Sequence, residues 1–216
     1  MRKSEIEDTV ARYNKRLQEF GYSPKTLGWT SGKQEIRFRI LSEIGELNNS
    51  SILDVGCGFG DLFGYLVSKG HKIKYTGIDI NKNLIDIGSK LYPSAHFIVD
   101  DFASIRLEQQ SYDWIVASGP FNFRLTDNYR FISKTLKKMF RYSIKGIAAD
   151  FLSSYSDYQN PDAFHCNPEI LFHFCKTKLS RRVALRHDYM PYEFCIYIYK
   201  NDEINNRNAF SAFDTS

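Results

Sequence analysis

Ile52-Leu53-Asp54-Val55-Gly56-Cys57-Gly58-Phe59-Gly60-Asp61 decides the reading of this 216-residue chain. Ile52, Leu53 and Val55 predict a buried strand, and the three glycines at alternate positions predict a tight turn. Leu62, Phe63, Leu66 and Val67 then recur at helical spacing. Glycine removes the Cβ where a backbone must bend sharply and let a ligand approach. The helix after such a turn aims its free N–H groups into the bend. The stretch therefore predicts a strand–turn–helix unit built around a nucleoside-like cofactor.

Outward from this unit the pattern alternates. Strands are expected at 51–55, 73–80, 95–99, 112–117, 144–150, 182–188 and 193–199. Helices are expected at 60–69, 82–91, 127–142 and 168–178, with Asn81, Thr126 and Asn167 as N-caps and Pro168 at the first turn of the last. Strand–helix alternation predicts an α/β fold with a doubly wound, mostly parallel, seven-stranded sheet. The last two strands are joined through Met190-Pro191 with no room for a helix, so the seventh must run antiparallel. Before the alternation come two helices. One, at 4–20, has a Ser4/Glu7 capping box and an apolar face of Ile6, Val10, Tyr13, Leu17 and Phe20. The other, near 32–47, carries Ile36, Ile40, Ile44 and Leu47. The expected organisation is an N-terminal helical cap at 1–50, the α/β domain at 51–200 and a flexible, Asn-rich tail at 201–216.

Composition narrows the class. Hydrophobic residues make up 43%, with 17 Phe and 14 Tyr, enough for a sizeable core. There is no apolar run of about 18 residues, so no membrane span is expected, and the opening MRKSEIEDTV lacks the apolar core of a signal peptide. The four cysteines (Cys57, Cys166, Cys175, Cys195) have neither disulfide-like nor zinc-like spacing, so a reduced cytoplasmic thiol set and no metal are expected. The net charge of +4 is mild. Lys137, Lys138 and Arg141, like Arg181 and Arg182, read as solvated faces, which argues against a nucleic-acid partner.

Ligands of doubly wound sheets sit at the carboxyl ends of the strands. Here those ends read Asp54 with the glycine turn, then Asp79, then Asp100-Asp101-Phe102, then Ser118-Gly119-Pro120-Phe121. Asp79 is placed to accept from both hydroxyls of a ribose, since an ionised carboxylate only accepts. Asp101 or Asp100 could accept from an adenine amino group while Phe102 packs on the base. A dinucleotide turn would want G-x-G-x-x-G, which requires glycine where this chain has Asp61.

The G-x-G-x-G spacing, with Asp54 two residues before the first glycine, resembles the class I S-adenosylmethionine-dependent methyltransferases from Ile52 to Lys200. The resemblance implies that Asp54, Gly56 and Gly58 hold the methionine part of the cofactor, Asp79 the ribose and Asp101 or Asp100 the adenine. Cys57 and Gly60 in the turn, Ile80, Phe102 and Ser118 complete the expected cofactor set. In this family segments before the first motif fold over the site, which adds Trp29, with Tyr13, Gln34 and Arg37 as further contacts. S-adenosylhomocysteine would be the product.

The methyl acceptor is less legible. Ser118-Gly119-Pro120-Phe121 departs from the (N/D)-P-P-(Y/F) motif of amino-group methyltransferases, so amino chemistry is not assigned from it. The polar, aromatic loop from Phe151 to Pro168 is the expected substrate cover, with Tyr155, Asp157, Tyr158 and His165. His187 and His165 are the candidate bases, because imidazole titrates near neutral pH; the competing reading of Asp188, beside the first, is a bond to turn backbone. A small-molecule acceptor is expected. A nucleic-acid or protein methyltransferase, or a non-catalytic cofactor-binding scaffold, are the alternatives.

Overall fold

Residues 1–29 and 32–201 are described by the structure, a computed structural model; apart from Asn201, the expected tail lies outside them. Two helices, α1 (Lys3–Phe20) and α2 (Lys33–Ser42), precede β1 (Ser51–Val55), α3 (Asp61–Ser68), β2 (Lys74–Asp79), α4 (Lys82–Leu91), β3 (His96–Val99) and β4 (Tyr112–Ala117). The chain continues with α5 (Asn128–Tyr142), β5 (Ser143–Leu152), α6 (Pro168–Lys178), β6 (Val183–Met190) and β7 (Glu193–Tyr199). The sheet order is β3-β2-β1-β4-β5-β7-β6. β7 inserts between β5 and β6 and is antiparallel to both, while β1 through β5 pair in parallel, as expected from the short Met190-Pro191 connection.

Period-two alternation gives the sheet two apolar faces. Leu53, Val55, Ile115, Ile147 and Ile196 pack with Ile132, Leu136 and Met139 of α5 and with Leu171 and Cys175 of α6. Ile52, Tyr75, Trp114, Ala148 and Tyr197 pack with α2 and α3. The neighbours Asp54 and Asp150 share the register of Ile52 and Ala148, so their carboxylates are carried on the α2–α3 face.

Most element ends follow local signals. The Asn81 side chain accepts from the N–H of Asn83 and of Leu84, and that of Asn167 from Ile170 ahead of Pro168. Three ends differ. The cap of α5 is Asp127, which accepts from the Arg130 N–H, rather than Thr126. At the start of α1 it is Glu5 that accepts from the Arg2 N–H at 2.7 Å, in place of the Ser4/Glu7 pair. α2 stops at Ser42 instead of 47, and the chain then turns tightly through Gly45, which lies against the Trp114 ring. Lys138, expected to be solvated, donates to the carbonyls of Ala103 and Ile105 and so pins the β3–β4 connection to α5.

α1 has no fully buried residue, and Phe20 at the end of its apolar face is exposed. The helix does not pack on the sheet. It crosses the carboxyl edge, where Asn14 accepts from Asn81 and Asn83 at the start of α4, Glu5 accepts from the Thr126 N–H, and Tyr13 meets Phe123 edge-on. No helix among the described residues is long and apolar enough to cross a membrane.

The turn after β1 is held from behind by α4. A Cβ on Gly88 would lie 2.4 Å from the Phe59 carbonyl oxygen, a backbone atom that cannot swing aside. Gly88→Ala is expected to cost about 1–3 kcal/mol through overpacking, read as a lower urea midpoint with an unchanged slope. Wild-type stability in that variant would show that helix and turn are not in contact.

Candidate active site

The strand order reverses at β1: β2 and β3 lie on one side, β4 and β5 on the other, and the carboxyl ends of β1 and β4 part there to leave a crevice. One cavity fills it. Its walls include Asp54, Gly56, Cys57 and Gly58 from the first turn, Asp79 and Ile80, Asp100, Asp101 and Phe102, then Ser118, Gly119 and Pro120. Tyr13, Leu27, Trp29, Gln34 and Phe38 close it from the N-terminal side. All but two of the residues expected to contact cofactor therefore line a single space. Gly60, at φ 78°, lacks a Cβ that would meet the Phe97 ring and so serves packing behind the turn. Arg37, expected near the cofactor carboxylate, instead pairs with Glu193 beyond Trp29.

Two carboxylates organise the cavity. Asp79 accepts from the N–H of Gly58 at 3.0 Å through one oxygen and from the N–H of Asn81 at 2.8 Å through the other. Each oxygen keeps a second lone pair, so the group can still accept from a ligand diol. Asp54, 3% exposed, accepts from the Tyr75 hydroxyl at 2.6 Å. Burial pushes its pKa up to about 7, a rise that the Tyr75 hydrogen bond opposes and the neighbouring carboxylates reinforce. Burial likewise raises Asp79, against the pull of its backbone N–H partners.

Asp100 and Asp101 stand at the mouth. Asp101 accepts from the Ala103 N–H at 2.9 Å and Asp100 from the Asp101 N–H at 2.7 Å, so each spends one oxygen on the local turn. Phe102 is buried beneath them. Among the described residues no lysine or arginine side chain lines this cavity. Four carboxylates with no lysine or arginine side chain among them fit a ligand that carries positive charge better than a pyrophosphate. The chemistry of the wall thus suits a sulfonium nucleoside with an ammonium group, a diol and an adenine.

A second cavity adjoins the first, sharing Tyr13, Leu27, Trp29, Gly119 and Phe123 as a common wall. Trp29 packs its ring edge against Gly119 and its face against Arg37, whose guanidinium carbon is 3.7 Å from the ring centroid. Arg37, 2% exposed, donates to Glu193, which opens β7. Asp150, also 2% exposed, accepts from the Ser118 hydroxyl at 2.5 Å and from the Gly119 N–H at 2.8 Å. Burial raises both carboxyls and the Arg37 charge lowers both. Ser118 is thereby fixed by Asp150, one strand over.

The loop after β5 walls the second cavity with Tyr158, Asn160, Asp162 and His165. Arg124 anchors it by donating to the carbonyls of Pro161 and Ala163. His165 Nδ1 lies 3.0 Å from the Ser153 carbonyl oxygen; a carbonyl only accepts, so this nitrogen carries the proton. Nε2 keeps its lone pair and is buried without a hydrogen-bond partner. His187 sits elsewhere. Alternation along β6 puts it with Leu185 on the α6 face, between the rings of Tyr155 and Phe194, and it lines neither cavity. Asp188 pairs with Arg186, and Tyr155 reaches Glu169.

Several participants were outside the expected set. Tyr75 carries no signal before the partner of Asp54 is known. Asp150 reads in the sequence only as a strand end, and its role in fixing Ser118 depends on pairing across β4 and β5. Arg12, Arg16 and Lys33 line the second cavity from helices that precede every motif.

Residues 52–145 match the family model described as a methyltransferase domain. The methyltransferase-named protein Rv1506c of Mycobacterium tuberculosis is 36% identical over 156 residues, covering 69% of this chain and 93% of that protein. The demethylmenaquinone methyltransferase of Thermotoga maritima is 27% identical over 105 residues, 49% of this chain and 45% of the relative, so the match spans under half of that protein. Among solved structures, magnesium protoporphyrin IX methyltransferase from Synechocystis, with S-adenosylmethionine bound, shares the fold at a TM-score of 0.57 and 14% identity, over 78% of this chain and 79% of that one. Sequence motifs, strand order and these likenesses agree: the chain belongs to the class I S-adenosylmethionine-dependent methyltransferases.

Proposed function

We propose that this enzyme methylates a small molecule seated in the second cavity, against the wall shared with the cofactor crevice. The observation that carries the reading is the junction itself: two spaces of different chemistry meet at Trp29, Gly119 and Phe123, under α1 and beside the β5–α6 loop. Both covering segments belong to this chain, which favours an acceptor enclosed by them over an extended polymer. The relatives named for demethylmenaquinone and magnesium protoporphyrin IX methylation also carry small-molecule names. We propose the cytoplasm as its compartment, in keeping with four buried, unpaired cysteines.

When bound, the cofactor supplies an electrophilic methyl group on a sulfonium, so the reaction is an in-line displacement. Asp54 and the N–H groups of the turn hold the amino-acid end, with Gly56, Cys57 and Gly58 shaping the bend. Asp79 holds the ribose hydroxyls beside Ile80. Asp101 or Asp100, over Phe102, holds the adenine. Ser118 and Trp29 bound the side on which the acceptor arrives, and exclude water from it. For a hydroxyl acceptor we assign the base to His165, because its tautomer is set by Ser153 and its Nε2 is unspent. His187 lines neither cavity.

Incubating the enzyme with methyl-tritiated cofactor and a metabolite extract should put label into an ultrafiltrate species that separates from the cofactor on chromatography and is absent without enzyme. Label confined to protein or nucleic acid would contradict the reading. With the acceptor so found, His165→Ala should slow turnover about a hundredfold, and an unchanged rate would remove His165 as base.

Asp54 makes cofactor binding pH-dependent. Its carboxyl is raised to about 7 in the free protein, and an ammonium partner needs it ionised. Protons therefore compete with the ligand below that value. S-adenosylhomocysteine affinity, measured by calorimetry, should fall toward about tenfold per pH unit as pH drops below 7. In Asp54→Asn it should be weaker and flat over that range. A flat profile in the wild type would take Asp54 out of the contact.

A further inference from the structure

The first cavity is acidic, whereas cations outnumber carboxylates in the second. Arg12 and Arg16 stand one turn apart on α1, and Lys33 and Arg37 one turn apart on α2; all four line it. Like charges at that spacing destabilise a helix, so two such pairs facing one space are a cost without a ligand. Only two carboxylates answer them in the lining, Asp162 and Glu193. Arg37 uses Glu193. Among the described residues, Arg12, Arg16 and Lys33 have no carboxylate within ion-pairing distance.

Arg12 and Arg16 pack on groups that leave their charge unspent. The Arg12 guanidinium lies over the Phe123 ring at 5.0 Å from its centroid, and that of Arg16 packs over Gly28. Arg37 Nε is buried and has no hydrogen-bond partner, although the residue is 2% exposed. A buried donor left unpaired is rare in folded proteins and points to a missing acceptor. Phe123 is also part of the wall shared with the cofactor crevice, so the Arg12 guanidinium stacks on a residue of the junction itself.

We infer that the acceptor is an anion: a small molecule whose carboxylate or phosphate is gripped by Arg12, Arg16 and Lys33 while another atom receives the methyl group. The inference rests on the small-molecule reading above and adds the charge class of its substrate. The anionic group is an anchor and is not itself methylated, so the product keeps the charge. The opposed charges of the two cavities also sort the ligands. A cationic cofactor is repelled from the second space and an anionic acceptor from the first.

The test has two arms. In the first, the complex with S-adenosylhomocysteine is titrated by calorimetry with inorganic phosphate and, separately, with citrate at constant ionic strength. At least one is expected to bind, and the Arg12→Ala/Arg16→Ala double variant, checked for its fold by circular dichroism, should bind it at least tenfold more weakly. Which of the two binds separates a phosphate from a carboxylate anchor. No binding of either, or wild-type affinity in the double variant, would overturn the inference. In the second arm, tritium from the labelled cofactor is followed after reaction with a metabolite extract. Labelled product retained on an anion exchanger, and diminished at least tenfold with the double variant, supports the anionic acceptor. A labelled methylated product, resolved from the unreacted cofactor, in the flow-through would overturn it while leaving the small-molecule reading intact. Label in precipitated macromolecules would overturn that reading and this inference with it.

Discussion

The carboxylate of Asp79 accepts one backbone N–H from the turn after β1 and another from the cap of α4, and the site depends on that pair of hydrogen bonds. Burying a carboxylate is costly unless its oxygens are satisfied, and hydrogen bonds to a charged acceptor are worth about 1.5–3 kcal/mol each. Here the bonds do three things together. They fix where the glycine turn lies relative to the next strand. They orient the first turn of α4, whose Asn81 in turn ties down Asn14 of α1. They also leave the outer lone pairs of the carboxylate facing a cavity.

From that tie the division of labour between the two spaces follows. The crevice between β1 and β4 gathers carboxylates because strand-end acids of a parallel sheet converge at the switch point. The space beyond gathers cations because it is roofed by the N-terminal helices, which present Arg12, Arg16, Lys33 and Arg37. Between the two, Trp29 is clamped by Gly119 and Arg37, and Asp150 fixes Ser118 and Gly119 from the next strand. The acidic and the cationic space thereby meet along one border of Tyr13, Trp29, Gly119 and Phe123.

The sheet was legible because its signals are local. Periodicity marks the strands, Asn81 and Asn167 mark helix starts, and a proline-bearing connection too short for a helix forces β7 to reverse. The crevice was legible for the same reason: its walls are successive strand ends. What stayed hidden depends on long-range pairing. Arg37 and Glu193 are 156 residues apart in sequence, and Asp150 gains its partners only once β5 lies beside β4. The face on which His187 falls could be counted from alternation, but only with the bounds of β6 in hand. α1 showed an amphipathic pattern, yet its apolar stripe covers an edge rather than a sheet face, which no periodicity distinguishes.

A crystal structure of the enzyme with S-adenosylhomocysteine tests the central claim most directly. The account predicts the nucleoside lying across the Gly56–Gly58 bend, both ribose hydroxyls within hydrogen-bonding distance of Asp79, the adenine beside Phe102, and the sulfur facing the wall of Trp29 and Gly119. A ligand bound elsewhere, or a ribose that does not touch Asp79, would contradict it.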